Sequence, residues 1–251
     1  MAVQYICKMK IIPLSEGAYS IDHTKVFIPF NKETDDLQQR AKGSLLVEVQ
    51  PFLVITSSDI ILLDAGLGFL ANDGTMLIHE NIMSHGINPM EVTKVLMSHL
   101  HKDHSGGLFK RGEKFLAFPN ATYYVNKAEF AYAMEKGFPS YEPEDFALLT
   151  DQPNVEFISG TGEIDGYITY EECGAHTPHH QVFLIKDEGN TAFFGGDVAP
   201  QLQQMKSRFI AKYDYDGKLC MELRMKWWEK GKDKDWQFLF YHDIKTPVSK
   251  A

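Results

Sequence analysis

Short apolar runs bounded by turn residues recur in the first part of the chain. These runs are residues 45–49, 52–56, 60–64 and 94–98. Apolar stretches this short, bounded by turn residues, predict buried or half-buried strands. Between the third and the fourth run, residues 76–85 predict a helix that Gly86 ends.

The remainder of the chain continues to alternate strand and helix patterns. Further strands are predicted over residues 123–125, 155–159, 167–172, 181–186, 191–194 and 237–241. Helices are predicted over residues 127–136, after Pro143, and over an amphipathic stretch at residues 218–230. A mixture of both elements along the whole chain predicts an α/β or α+β class. No interior stretch is rich enough in glycine, proline or serine to mark a linker, so we expect one domain over residues 1–251.

A cluster of histidines directly follows the apolar run at residues 94–98. Three of the ten histidines fall within six residues, in the pattern His-x-His-x-Asp-His at positions 99–104. Neutral imidazole and carboxylate are good ligands for a borderline divalent ion such as zinc. In an extended segment, residues i and i+2 point to the same side, so His99 and His101 can bind one ion. Asp103 and His104 can then face a second ion, which favours metal binding over a solvated histidine-rich turn.

Two further features frame this cluster. A glycine pair follows it at Gly106 and Gly107, where the missing Cβ atoms would let the backbone pass close to another segment and begin a helix. The other histidines that invite attention are expected to have surface or structural roles, and they are His23, His79, His85, His179 and His180. Phe69, Phe118, Phe138 and Tyr141 lie in predicted loops and could shape an apolar pocket, but none is assigned to the site.

Three more ligand-type residues stand at strand ends or in tight turns further along the chain. His176 follows the predicted strand at residues 167–172, Asp197 follows the one at 191–194, and His242 follows the one at 237–241. Taken singly, His176 or His242 could be a hydrogen-bonded core histidine, and Asp197 could be a turn or cap residue. Together with the first cluster they make seven candidate ligands, enough for two ions that share one carboxylate.

Composition and charge bear on the kind of partner. The chain is 44% hydrophobic and 12% aromatic, which predicts a packed core rather than a disordered chain. It carries 25 lysines and arginines against 34 aspartates and glutamates, a net charge of −9 that argues against a broad phosphate-binding face. We therefore expect a small-molecule substrate and no nucleic acid, and the frequency of twofold oligomers among soluble proteins favours a homodimer.

The cysteines and the apolar segments bear on location. Cys7, Cys173 and Cys220 are odd in number and form no CxxC pair, so we expect reduced thiols and a cytoplasmic protein. Lysines within residues 1–10 stand where a signal peptide would carry its apolar stretch. The most apolar segment, residues 60–71, contains Asp64 and is far shorter than the roughly 20 residues of a membrane helix. We expect no membrane association.

The order strand, HxHxDH, His, Asp, His resembles the metallo-β-lactamase-fold hydrolase superfamily. Supporting details are Leu63-Asp64-Ala65-Gly66, His176-Thr177-Pro178 and Gly195-Gly196-Asp197, so the landmarks run from residue 64 to residue 242. The complete ligand set resembles the two-metal branch, which includes lactonases and glyoxalase-II-like thioesterases. The resemblance implies a four-layer αββα sandwich with the metals at one edge of the two sheets.

The resemblance also implies a role for each candidate ligand. It places the first ion on His99, His101 and His176, the second on Asp103, His104 and His242, and Asp197 between both. It implies that Asp103 and Asp197 are the catalytic carboxylates and that Asp64 stabilises the metal-binding loop without binding metal. From the sequence alone, Asp64 is equally well explained as a turn residue that ends a strand. Two divalent ions are implied. Zinc is the default, and manganese, iron and cobalt fit the same ligands.

The resulting hypothesis is a metal-dependent hydrolase whose metal-bridging hydroxide cleaves a small ester, lactone or thioester. The alternatives are a phosphodiester or organophosphate hydrolase on the same site, and a non-catalytic metal-binding protein of this fold. Two departures from the family pattern are visible. His179-His180 stands where Gly-His is usual, and Val198-Ala199-Pro200 stands where some homoserine-lactone-cleaving relatives carry a tyrosine. The second departure weakens a specific assignment as a homoserine lactonase.

Overall fold

A computed structural model describes residues 9–110 and 112–251. The N-terminal segment that bears on a signal peptide lies almost entirely outside the described residues, as does Cys7. Cys173 and Cys220 are free thiols, as predicted. No helix within the described ranges is both long and apolar enough to cross a membrane.

The described chain forms fifteen strands and five α-helices. The strands are β1 (Lys10–Pro13), β2 (Gly17–Ile21), β3 (Ile28–Pro29), β4 (Leu45–Val49), β5 (Phe52–Ile55), β6 (Ile60–Leu63), β7 (Lys94–Leu96), β8 (Thr122–Asn126), β9 (Val155–Ile158), β10 (Thr161–Ile164), β11 (Ile168–Glu172), β12 (Gln181–Asp187), β13 (Asn190–Phe194), β14 (Gln237–Leu239) and β15 (Val248–Lys250). The helices are α1 (Leu77–Ser84), α2 (Lys102–Ser105), α3 (Lys127–Lys136), α4 (Leu202–Met205) and α5 (Gly217–Asp233).

The strands form two six-stranded sheets and one small sheet. The first sheet has the order β1-β5-β6-β7-β8-β9, in which β6, β7, β8 and β9 run parallel. The second has the order β10-β11-β12-β13-β14-β15, in which only β13 and β14 pair in parallel. The small antiparallel sheet has the order β3-β2-β4.

Each large sheet is buried on both faces. Successive residues of a strand point to opposite faces, so one strand contributes to two cores. In β6, Ile61 and Leu63 belong to the core between the two large sheets, whereas Leu62 belongs to the outer core of the first sheet. In β13, Phe194 packs into the same inner core while Phe193 packs outward. Burial on both faces explains why the sequences of these strands are continuous apolar runs, in which apolar and polar residues do not alternate.

The helices cover the two outer faces. Ile78 and Ile82 of α1 and Ala133 of α3 join the outer core of the first sheet. Trp227 and Trp228 of α5 join the outer core of the second sheet, so these tryptophans pack the core. The layers are therefore helix, sheet, sheet and helix, and the predicted four-layer αββα sandwich is confirmed.

The sequence prediction differs from the structure mainly where segments are polar or short. The helix expected after Pro143 is a pair of 3₁₀ turns, Pro143–Asp145 and Ala147–Asp151. Strands β10 and β15 were not predicted, because these short strands at the two edges of the second sheet carry few apolar residues. Strands β1, β2 and β3 were not predicted either, because proline in β1 and β3 and glycine and serine in β2 interrupt their apolar pattern. The glycine pair does not begin a helix: α2 precedes it, and Gly106 caps that helix at its C-terminal end.

Candidate metal centre

All seven predicted ligands lie at one edge of the sandwich. His99 and His101 follow β7, and Asp103 and His104 lie in the short helix α2. Asp197 follows β13, His242 follows β14, and His176 lies between β11 and β12. Because β6 and β7 are parallel in one sheet and β13 and β14 in the other, the carboxyl ends of each pair reach the same edge, where polar side chains can converge.

Close backbone packing allows the ligand loops to meet. The amide of Ala65 donates a hydrogen bond of 2.7 Å to the carbonyl oxygen of His104, which joins the loop after β6 to α2. A Cβ atom on Gly107 would lie 2.0 Å from the carbonyl oxygen of Ala65, and one on Gly106 would lie 2.4 Å from that of Leu67. The predicted close approach at the glycine pair is therefore present, and only glycine permits it.

Four side chains form the first group of ligand atoms, namely His99, His101, His176 and Asp197. The Nδ1 atom of His101 lies 3.0 Å from Nε2 of His99 and 3.2 Å from Nε2 of His176. The Oδ2 atom of Asp197 lies 3.3 Å from Nε2 of His176 and 3.9 Å from Nε2 of His99. Ligand atoms about 2.0–2.2 Å from one tetrahedral ion lie roughly 3.3 Å from each other, so these separations suit one metal ion.

A second group, Asp103, His104 and His242, lies on the other side of Asp197. The Oδ1 atom of Asp197 lies 3.2 Å from Nε2 of His104 and 3.0 Å from Nε2 of His242. Oδ2 of Asp103 lies 3.7 Å and 3.5 Å from the same two nitrogens. The two oxygens of Asp197 thus face different groups, which is the arrangement of a carboxylate shared by two ions.

Two buried atoms between these groups test whether metal ions fit the site. Nε2 of His104 and Oδ1 of Asp197 are both buried and make no hydrogen bond within the described part of the chain. Buried polar atoms without a partner cost free energy, so proteins rarely leave them unsatisfied. A divalent ion held by both atoms would satisfy them together. The donor set, five imidazoles and two carboxylates, is the chemistry that zinc and similar ions prefer.

The second ring nitrogen of four ligand histidines is held by a hydrogen bond. The Nδ1 atoms of His99, His104, His176 and His242 lie 2.6–3.0 Å from Ser98 Oγ, Asp64 Oδ2, Asp214 Oδ1 and the Glu48 carbonyl oxygen. Carboxylate and carbonyl oxygens only accept, so in at least three of these rings Nδ1 carries a proton and Nε2 is the nitrogen that faces the cluster. Partners of this kind fix the tautomer and the direction of a ligand ring.

Asp64 has the orienting contacts that its predicted role requires. Its carboxylate accepts hydrogen bonds from the Ser98 amide (2.6 Å), the Ser98 hydroxyl (2.7 Å) and the His104 ring (2.7 Å). The residue is fully buried and has a φ of 55°, a left-handed conformation that aspartate tolerates better than most residues. Its oxygens are taken up by these donors, which suits an orienting residue better than a ligand.

Burial and neighbouring charges shift the pKa values of four ligand histidines in two directions. Burial and the neighbouring histidines lower the pKa of His99 and of His101 well below the ordinary value, so both rings are neutral at neutral pH. Burial also opposes charge on His104 and His242, but the nearby Asp197 carboxylate outweighs it and raises the pKa of each ring. A metal ion therefore finds free lone pairs on His99 and His101 and displaces a proton from His104 and His242.

A buried carboxylate that the sequence analysis missed ties the two loops of the first group together. Glu129 in α3 accepts hydrogen bonds from the Leu100 amide (3.3 Å), the Thr177 hydroxyl (2.7 Å) and the Tyr141 hydroxyl (3.1 Å). The Tyr141 ring in turn packs against His101, with centroids 4.6 Å apart. No sequence signal singles out Glu129, because it occupies an ordinary helix position and its partners come from distant segments.

Two other contacts were also missed. His180 is fully buried, accepts a hydrogen bond of 3.2 Å from the Asp197 amide through Nε2, and packs against His99 with centroids 4.9 Å apart. Its position directly after His176-Thr177-Pro178-His179 was the available signal. Asp214, which holds His176, lies in a polar loop without any pattern that would identify it.

Five of the seven candidate ligands line a cleft with a volume of about 170 Å³, namely His101, Asp103, His176, Asp197 and His242, and the buried His99 and His104 complete the group. We call the seven candidate ligands the floor. The wall is the set of lining residues from segments 21–47 and 209–213, namely Ile21, Lys25, Phe27, Leu45, Leu46, Val47, Phe209 and Tyr213. The remaining lining residues are Lys102, Ser140, Pro200, Gln201 and Gln204. Most of the wall is apolar, so the cleft suits a small molecule with an apolar part lying against it.

Comparisons with known proteins agree with this architecture. N-acyl homoserine lactonase AttM of Rhizobium johnstonii is 32% identical over 118 residues, which is 43% of this chain and only 41% of that protein. A probable metal-dependent hydrolase from Staphylococcus aureus has a similar structure, with a TM-score of 0.74 at 20% identity over 96% of this chain and 92% of that one. AidC, a dizinc quorum-quenching lactonase, is similar with a TM-score of 0.70 at 18% identity over 97% and 90%. Residues 47–238 match the sequence model of one family, and the chain therefore belongs to the metallo-β-lactamase superfamily.

Proposed function

We propose that this protein is a two-metal hydrolase that cleaves a small ester, lactone or thioester. The observation that carries the proposal is the position of Asp197, whose two carboxylate oxygens face two separate ligand groups at the floor of one cleft. A purely structural metal site is closed by protein ligands and needs no cavity above it. The relatives named N-acyl homoserine lactonases, although matched over part of their length, make a lactone the first substrate to test.

The seven floor residues would hold the two ions, with zinc as the proposed metal. His99, His101 and His176 would hold one ion, Asp103, His104 and His242 the other, and Asp197 both. Divalent ions in such a site supply Lewis-acid chemistry, because they activate water at neutral pH and polarise a carbonyl group.

Asp103 has the position of a proton acceptor. Its carboxylate lines the cleft, and Oδ2 lies 3.5 Å from Nε2 of His242. The Tyr241 hydroxyl donates a hydrogen bond of 2.6 Å to the carbonyl oxygen of Asp103, which fixes the backbone at this point. We propose that the Asp103 carboxylate orients the attacking water and takes up its proton.

Tyr213 offers a hydroxyl to the substrate from another part of the chain. The residues directly after Asp197 are Val198-Ala199-Pro200, so this segment has no tyrosine. Tyr213 lines the same cleft, and its ring centroid lies 6.1 Å from that of His176. Burial and the Asp214 carboxylate raise its pKa to about 12, so the hydroxyl keeps its proton at neutral pH. We propose that Tyr213 donates a hydrogen bond to the carbonyl oxygen of the substrate.

The test is the turnover of a substrate panel by the purified protein, by the same protein after chelation, and after zinc is restored. The panel holds an N-acyl homoserine lactone, an aliphatic lactone, an aryl ester, a glutathione thioester, an aryl phosphodiester and an organophosphate triester. We expect hydrolysis of a carboxylic ester, lactone or thioester that chelation abolishes and zinc restores. Hydrolysis confined to the phosphoesters would overturn the proposed bond type. If no substrate of the panel is hydrolysed by protein with two metals bound, the non-catalytic alternative is favoured.

A further inference from the structure

Two lysines line the cleft, Lys25 and Lys102, and neither has an ion-pair partner among the described residues. Of these two, Lys25 has its ammonium group over the ring of another cleft-lining residue, Tyr213. Lys25 lines the cavity, and among the described residues no carboxylate oxygen lies within the 4.0 Å ion-pair distance of its ammonium group. Other lysines of this acidic protein are paired: Lys94 contacts Asp59 and Asp165, and Lys32 contacts Glu48. An unpaired ammonium group at the entrance of an enzyme cleft is available for a ligand.

The nearest carboxylate in the sequence is already engaged. Asp22 accepts hydrogen bonds from the Thr24 amide (2.9 Å) and the Thr24 hydroxyl (2.6 Å), which close the turn after β2. The Lys25 amide completes the turn with a hydrogen bond of 3.1 Å to the Asp22 carbonyl oxygen. The turn therefore uses the Asp22 carboxylate and leaves the Lys25 side chain to the cleft.

The backbone at Lys25 is an unusual one for a lysine. Its φ is 58°, in the left-handed region that glycine occupies without cost and most other residues avoid. Strained conformations of non-glycine residues concentrate at sites where the side chain has a function.

The direction of the side chain is set by Tyr213. The Lys25 ammonium lies 5.8 Å from the centroid of the Tyr213 ring, a distance at which a cation is attracted to the ring face. The same ring lies 6.1 Å from His176 of the floor. Lys25 is thus held above the floor and faces the substrate space.

We propose that Lys25 binds an anionic group of the substrate, and that the substrate is a small ester, lactone or thioester carrying a carboxylate away from the bond that is cleaved. This inference rests on the proposed function and specifies its substrate class. In this arrangement the bond that is cleaved lies at the floor, and the carbon chain of the substrate lies against the apolar wall. An ammonium group gives a charge-assisted hydrogen bond to a carboxylate, which is stronger than a hydrogen bond between neutral groups.

The experiment compares two aryl esters of the same chain length on the zinc-loaded protein. The butyrate ester is neutral, and the hemisuccinate ester carries a terminal carboxylate. We expect kcat/KM to favour the hemisuccinate by about tenfold or more, and the preference to fall as salt is raised because screening weakens the contact. Lys25→Met should abolish the preference, so that kcat/KM falls about tenfold more for the hemisuccinate than for the butyrate. Lys25→Arg should keep most of the preference.

A matched control removes another lysine of the same kind. Lys230 is exposed, its ammonium lies 5.3 Å from the Trp236 ring, and it does not line the cleft. Lys230→Met removes one positive charge and one cation–ring contact and should leave the preference unchanged. An equal loss in both variants would assign the preference to net charge and overturn the role of Lys25. Equal kcat/KM for the two esters in the unmodified protein would also overturn it.

A binding measurement separates this inference from the proposed function. Calorimetric titration compares glutarate with pentanoate, which have equal chain length but two carboxylates and one. We expect glutarate to bind about tenfold more tightly, and only when Lys25 is present. Such binding without hydrolysis of any ester would retain the anion site and refute the hydrolase. Equal affinities for glutarate and pentanoate would refute the anion site whether or not the esters are cleaved.

Discussion

The floor and the wall of the cleft are built in different ways. Floor residues follow strands of the two large sheets, and partners such as Asp64 and Asp214 hold their rings in place. Wall residues come from the small sheet and from loops, and Phe209 and Tyr213 are 40% and 38% exposed. A buried, hydrogen-bonded floor keeps ligand atoms at fixed distances, whereas an open wall can change without disturbing them. The chemistry and the choice of substrate are therefore separable, and substitutions should reveal this.

The largest effect is expected from Asp197→Ala. Each oxygen of this carboxylate faces one ligand group, so its loss removes a ligand from both positions. We expect at most one metal ion per chain and a fall in kcat/KM of about a thousandfold or more, comparable with the loss of a central group in other enzymes. Metal analysis of the purified variant together with kinetics measures both. Two bound ions with full activity would refute the shared-carboxylate arrangement.

Asp64→Ala tests the residues that hold the floor ligands in position. It removes the acceptor of the His104 ring and of the Ser98 amide, but it removes no predicted ligand. Outer partners of metal ligands are worth about 10- to 100-fold in metal affinity or activity. We expect a loss in that range, measured by competition with a chelator. Asp64→Asn is the control for shape, because the amide is nearly isosteric but cannot accept on both sides. Unchanged zinc affinity in both variants would contradict the orienting role.

Phe209→Ala tests the wall and should behave in the opposite way. This side chain is 40% exposed and lines the cavity without contacting a ligand. We expect KM for substrates with long apolar chains to rise about three- to tenfold, because apolar contact area with the substrate is lost. kcat for short substrates and the metal content should stay unchanged. A loss of metal from this variant would show that floor and wall are coupled.

The smallest expected effect is on the pH dependence of folding stability, through a residue that contacts the loop between floor and wall. Glu16 lies beneath Leu67 and accepts its amide hydrogen bond (2.7 Å), and burial raises the pKa of Glu16 to about 8. The folded protein therefore holds a proton that the unfolded chain releases above its ordinary value of 4.5. Stability from this group is complete below pH 4.5 and is lost as pH rises to about 8.

Glu16→Gln should remove that dependence, because the amide stays neutral and still accepts from Leu67. In metal-free protein we expect the variant to gain at least about 2 °C in Tm over the unmodified protein at pH 8.5, relative to the difference at pH 5. Thermal unfolding at the two pH values measures it. An identical difference at both values would show that Glu16 does not titrate in this range.

The elements that sequence patterns predicted well are those buried on both faces. Strands such as β6 and β13 coincide closely with predicted runs, because apolar residues fill both sides of each large sheet. The edge strands β10 and β15 were missed, because a strand at an edge needs few apolar residues. Helix α2 was also missed, because its four residues are polar and are held by the ligand loop rather than by an apolar face.

Some residues of the candidate site could also be predicted from local sequence patterns, and others could not. Seven ligands were predicted because metal chemistry restricts residue types and their positions follow apolar strands, and the structure brings all seven together. Glu129, Asp214 and His180 were not predicted as part of the site, because their effect depends on contacts across 17 to 48 positions of the chain. Lys25 belongs with them, since a lysine in a polar turn has no distinguishing pattern.

The sequence by itself determined the candidate ligands of the proposed metal site and the layers that support it. Ligand type and spacing are local properties, and apolar periodicity records which faces are buried. The tertiary structure alone decided which oxygen of Asp197 faces which group, which carboxylates hold the rings, and which side chains wall the cleft. Those features depend on the approach of segments distant in the chain, and such approach is set by packing rather than by any local pattern.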